Sequence, residues 1–144
     1  MKNTVKRIVA FIVAFSAFSC ISSASASMKS SEYLDSYCIS VTAESGGKII
    51  VNVDVDATRT MDEVGATSIT IWRSSDGKNF TSVKTYNSDD YPELLGSGLH
   101  FNEDVITYYG TPGYYYCASG YCYAGDSRGS DSRHYMSSDV LAIK

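Results

Sequence analysis

The sequence has little that builds a helix and little that does chemistry. Two histidines, His100 and His134, are present in 144 residues. There is no His-Glu-x-x-His pair, no Gly-x-Ser-x-Gly elbow and no glycine-rich phosphate loop. Those absences argue against zinc hydrolases, serine hydrolases and nucleotide-dependent enzymes. Gly96-Ser97-Gly98 lacks the flanks of a nucleophile elbow. Glu103 and Asp104 are adjacent, so on a strand their carboxylates diverge and do not share an acid–base task. No catalytic residue is assigned, and no cofactor and no metal ligand set is expected.

Positive charge is scarce. Three of the twelve basic residues, Lys2, Lys6 and Arg7, sit at the extreme N-terminus, where there is no acidic residue. Beyond them, nine basic residues face sixteen acidic ones. An acidic surface repels phosphate backbones, which excludes nucleic acid as a partner class.

The same N-terminal residues front an apolar run, Ile8 to Phe18, that ends in Ala24-Ser25-Ala26. This is the pattern of a secretion signal cleaved after Ala26. The run is short for a bilayer core of about 30 Å. Residues 1–26 are therefore read as a signal peptide and 27–144 as one secreted domain, with no stable membrane insertion after cleavage. The alternative is lipidation at Cys20, which the preceding Ala17-Phe18-Ser19 fits poorly.

Three cysteines remain: Cys38, Cys117 and Cys122. An exported chain keeps disulfides, but an odd number leaves one thiol over and permits a disulfide-linked dimer. Cys117 and Cys122 have four residues between them, so they are not a Cys-x-x-Cys redox motif. The order of expectation is Cys38–Cys122, then Cys38–Cys117, then no bridge.

What is abundant is strand. Ile49, Val51, Val53, Val55 and Ala57 alternate with polar residues, as a half-buried strand requires. Ile39, Val41 and Ala43 do the same before a Gly46-Gly47 turn. Thr67 to Arg73 follows with Ile69 and Ile71 in phase, then Asp76-Gly77 turns the chain into Phe80 to Tyr86. Asn87 to Gly98 reads as a loop around Pro92, Leu99 to Tyr109 as a weaker strand, and Tyr114 to Ala124 as a strong one. Gly125 to Arg133 reads as a loop, and Tyr135 to Ile143 closes the domain. About seven strands with regular turns predict an all-β antiparallel two-sheet sandwich.

Tyr115-Tyr116-Cys117 and Trp72 suggest an immunoglobulin core. The second strand has no cysteine, however, and the phase of Ile69 and Ile71 puts Trp72 outside. The stretches Gly65 to Ile71, Asp76 to Thr85, Gly110-Thr111-Pro112-Gly113, Tyr116 and Gly129 to Arg133 resemble fibronectin type III/immunoglobulin-like sandwiches. More narrowly, they resemble small uncharacterised exported domains of Gram-positive bacteria such as bacilli and clostridia. That resemblance implies a fold and export by a Gram-positive-type route. It implies no activity.

Twelve tyrosines stand in the sequence, eight of them between Tyr108 and Tyr135. If Tyr116, Ala118, Gly120, Cys122 and Ala124 face inward, then Tyr115, Tyr121, Tyr123 and Trp72 share one outer face. Tyrosine offers contact area at low entropic cost and a hydroxyl for polar partners. The first functional expectation is a non-catalytic secreted module that binds a protein or a glycan through those four residues. The second is a self-associating structural protein with no small ligand. The third is a small secreted enzyme built on a Cys117–His134 pair. Calcium held by Asp126 and Asp131 is a further reading of the acidic loop.

Overall fold

A computed structural model describes residues 31–144. The expected signal peptide, residues 1–26, and Cys20 lie outside the described residues. The fold is all-β: one curled antiparallel sheet of seven strands. They are β1 (Leu34–Glu44), β2 (Lys48–Ser74), β3 (Thr81–Asn87), β4 (Leu95–Tyr109), β5 (Tyr115–Asp126), β6 (Gly129–Met136) and β7 (Val140–Leu141). Among the described residues no helix is long and apolar enough to cross a membrane.

The long strand β2 organises the rest. Its first half pairs with β1 on one side and β4 on the other. Its second half pairs with β3 and β5. β6 and β7 continue the sheet from β5. The curl turns one face inward, and a single core fills it. Ile49, Val51, Val53 and Val55 come from the first half of β2; Val64, Ile69 and Ile71 come from the second. Tyr116, Ala118, Cys122 and Ala124 face them from β5, so the inward phase expected for this strand is the one observed. Ile39 of β1 packs against Gly120, where an added Cβ would collide with the Ser68 carbonyl.

Three expectations need correction. The strands foreseen at 49–57 and 67–73 are one strand, because nothing between Thr58 and Val64 stops an extended chain. Gly65, with a φ of 143°, lies against the Leu94 carbonyl, and the pairing register shifts on either side of it. The foreseen loop at 125–133 is a tight hairpin. Asp126 Oδ1 accepts from the Arg128 backbone N–H at 2.8 Å and Gly129 supplies a φ of 151°, so β6 begins at once. The closing strand foreseen at 135–143 divides, because Ser137 leaves β6 to donate its N–H to the Ala118 carbonyl at 2.8 Å. The two glycine turns fall where expected: Gly46-Gly47 joins β1 to β2 and Gly77 lies in the β2–β3 turn, all three at positive φ.

Candidate functional site

Directly opposed residues in an antiparallel pair share a face. On the outer face of β5, Tyr115 stands opposite Ser74, Cys117 opposite Trp72, Ser119 opposite Thr70, Tyr121 opposite Ser68 and Tyr123 opposite Gly65. The second half of β2 and β5 thus bring Trp72, Tyr115, Tyr121 and Tyr123 to one face, spread along about 26 Å of strand at roughly 3.3 Å per residue. Cys117 and Ser119 interrupt the tyrosines, and both are buried. Trp72 fills that gap. Its indole N–H donates to Ser119 Oγ at 2.9 Å, so the ring lies across β5 between the two.

Each tyrosine is positioned differently. Tyr115 packs against the β2–β3 turn, within 3.5 Å of the place where a Gly77 Cβ would be. That turn is rigid because Asp76 accepts from the N–H groups of Lys78 and Asn79 and from the Ser74 hydroxyl. Those donors hold the Asp76 carboxyl well below the usual carboxylate range. Tyr121 is half exposed and meets His134 edge-on, with ring centroids 5.2 Å apart. Tyr123 lines an open cleft of about 330 Å³ with Asp62, Glu63 and the β5–β6 turn.

The same register shows members that the sequence did not. Met136 stands opposite Ser119, His134 opposite Tyr121 and Leu141 opposite Tyr115. Met136 and Leu141 are about half exposed. The alternation of Ser130, Ser132, His134 and Met136 against Asp131, Arg133 and Tyr135 carries this signal, but the Gly/Ser/Asp composition of the segment reads as a loop.

Short polar side chains make up the middle of the face, and carboxylates border it: Asp139 acts on Cys117, and Asp62, Glu63 and Asp126 line the cleft at Tyr123. The remaining positions in these rungs are Ser82, Thr85 and Asn87 on β3 and Ser132 on β6. The Thr70 and Thr85 hydroxyls bond each other at 2.9 Å. No Asp, Glu, Lys or Arg occupies a rung between Gly65–Tyr123 and Ser74–Tyr115 on this face, although the chain carries a net charge of −4.

The cysteines are free thiols, so neither bridge expected from Cys38 forms among the described residues. Cys38 of β1 nevertheless lies near Cys122 and Tyr135, and it raises the pKa of both. Cys122 lies on the inner face of β5 and Cys117 on the outer one. Burial, and then Cys38, pushes the Cys122 thiol up to about 12. Burial, and then Asp139, pushes Cys117 up to about 11. Cys117 and His134 do not meet, because His134 is level with Tyr121, four residues or about 13 Å along the strand. The calcium reading also fails on geometry. Asp126 is paired with Arg128 at 2.7 Å and Arg59 at 3.1 Å, and Asp131 with Arg133 at 2.8 Å.

No protein-family model matches the chain, and no curated protein matches it.

Proposed function

We propose that this chain is a non-catalytic, exported β-sandwich module that binds a neutral glycan on the face carrying Trp72, Tyr115, Tyr121 and Tyr123. One observation carries the reading: an aromatic row set among short hydroxyl and amide side chains, with carboxylates at its margins. Sugar rings present apolar C–H faces and many hydroxyls. Aromatic faces take the first, while Ser68, Thr85, Asn87 and the tyrosine hydroxyls take the second.

The finer architecture belongs to the same reading. With β1, β4 and the first half of β2 on one side and β3, β5, β6 and the second half of β2 on the other, the curled sheet is a two-layer sandwich of fibronectin type III/immunoglobulin-like type. Tyr116 supports this. It stands at the start of β5, and its hydroxyl accepts from the Thr111 backbone N–H at 2.8 Å, five residues upstream, as in the tyrosine corner of such domains. Secretion by a Gram-positive-type signal, with cleavage after Ala26, completes the proposal. A mature N-terminus at Ser27, read by mass spectrometry of the exported protein, tests it.

Affinity electrophoresis in gels of neutral cell-wall and plant polysaccharides tests the site. Wild type is retarded by at least one polysaccharide, and the Trp72→Ala/Tyr121→Ser double variant is not. Equal mobility of the two proteins in every gel refutes the assignment. The second reading, a self-associating structural protein, rests on exposed Met136, Tyr121 and Leu141 and on the half-buried Cys38. It requires a dimer in size-exclusion chromatography that reductant dissolves.

A further inference from the structure

The outer face of the β1–β2–β4 region carries different chemistry. Asp54 and Asp56 are two residues apart on β2, so they share a face, and His100 of β4 stands directly opposite Asp56. Sheet register, not a loop, assembles the group. One ligand atom from each of the three lies within 4.8 Å of the others. His100 Nδ1 is 2.6 Å from Asp56 Oδ1 and 3.9 Å from Asp54 Oδ1. A tetrahedral zinc ion with ligands at 2.0–2.1 Å holds its donor atoms about 3.3 Å apart. The two His100 separations straddle that value, and the third pair lies within 4.8 Å.

Two features separate this group from the other carboxylates of the protein. The first is the imidazole, a nitrogen donor that calcium and magnesium sites do not favour and zinc, nickel and copper sites do. The second is charge balance. Asp126 and Asp131 are paired with arginines, and Asp76 is satisfied by backbone N–H groups. Asp54 and Asp56 have no Lys or Arg within ion-pair distance among the described residues, and His100 is their one basic neighbour. Ser36 donates to the second oxygen of Asp56 at 2.8 Å, which orients that carboxylate as outer partners orient metal ligands. Two rungs from Asp56, Asn52 donates to Asp104 at 3.1 Å and to Asn102 at 3.0 Å, so a further carboxylate adds negative potential to the same face.

We propose that Asp54, Asp56 and His100 form a surface site for one divalent transition-metal ion of the zinc type, with two carboxylate oxygens and one imidazole nitrogen from the protein and solvent in the open positions. Binding replaces the His100–Asp56 hydrogen bond and requires a neutral imidazole, so affinity falls as the solution becomes acidic. The site is separate from the aromatic face and does not depend on the glycan reading.

Isothermal titration of the purified, tag-free Cys38→Ser protein with ZnCl2 and, separately, CaCl2 tests the site; the substitution removes the least buried described thiol. One zinc per chain is expected, with no calcium heat at the same concentration. His100→Ala and Asp54→Asn each weaken zinc binding at least about tenfold, and His134→Ala leaves it unchanged. His100 and His134 are exposed and Asp54 is partly so, and melting curves report whether each variant, including the half-buried Cys38→Ser background, is folded. The proposal is overturned if wild-type zinc uptake is absent, if it survives His100→Ala, if His134→Ala removes it, or if calcium binds as well as zinc.

Discussion

Trp72 reaches across the β2–β5 pair to donate its indole N–H to the buried hydroxyl of Ser119. That bond fixes the ring between the tyrosines on either side. Ser119→Ala removes the acceptor and leaves the indole N–H to find water. The expected cost is about 0.5–1.5 kcal/mol, the usual net worth of such a bond. Tryptophan emission shifts to the red as the ring lifts, and polysaccharide retardation weakens. An unchanged emission spectrum means that packing, not this bond, holds the ring.

The two faces of β2 predict opposite sensitivities at neighbouring positions. Ile69 is fully buried, so Ile69→Ala is expected to lose about 2–5 kcal/mol. Thr70 points outward beside it, and Thr70→Ala is expected to stay within about 0.5–1 kcal/mol, the loss of its bond to Thr85. Urea unfolding midpoints at equal slope measure the contrast.

Gly47 has a φ of 72°, and a Cβ there would run into the Gly110 carbonyl. Gly47 also accepts the Gly110 N–H and donates to Ile143, so the β1–β2 turn ties the end of β4 to the C-terminal segment. Gly47→Ala therefore strains the backbone and disturbs both bonds. A loss of more than about 1–2 kcal/mol is expected, while Gly46→Ala, with open space around it, shows only the strain of its own φ. Thermal melts of the two variants separate these terms.

Carboxylates dominate the acid side of stability. Asp76 and Asp126 are held well below the ordinary range by backbone and arginine donors, and Ser36 and then His100 lower Asp56. The unfolded chain binds more protons than the folded one between those lowered values and the usual carboxylate value near 3.9. Stability is therefore fully present above about pH 5 and is lost progressively as pH falls below about 4. Asp76→Asn is expected to flatten that acid limb while lowering stability at pH 7. Denaturant midpoints collected from pH 7 to pH 2 give the comparison.

Thiol chemistry divides the cysteines. Cys117 and Cys122, pushed up to about 11 and about 12 by burial, hold almost no thiolate at pH 8. Brief iodoacetamide treatment of the folded protein is expected to label Cys38 alone among these three, and peptide mass spectrometry reads the position. Labelling of Cys122 at a matching rate shows that the core opens.

Much of this fold was legible because side-chain alternation has a fixed period. Val51, Val53 and Val55 announce their face, as do Ile69 and Ile71, and the resulting phase placed Trp72 outside and Tyr116 inside. Turn chemistry was less reliable. Asp126-Ser127-Arg128-Gly129 has the composition of a solvated loop, yet the Asp126 side chain closes it into a hairpin and brings Met136 and His134 to the aromatic face. The Asp54–Asp56–His100 group was invisible for another reason. Its parts are 44 residues apart in sequence, and only the pairing of β2 with β4, set beyond a bulge between Val51 and Asn52, puts His100 opposite Asp56.

The continuity of β2 has a kinetic consequence. Its hairpins with β1 and β3 are local and close quickly, but neither covers its apolar face. That face is covered only when β4 and β5 arrive, each bridging tens of residues of chain. Loop closure must then precede its reward, so folding is expected in the millisecond-to-second range typical of non-local β topologies. One strand serves both halves, so neither half can open while the other stays shut. Amides of Val51 and Ile71 are expected to exchange with deuterium through the same global opening, at one shared free energy.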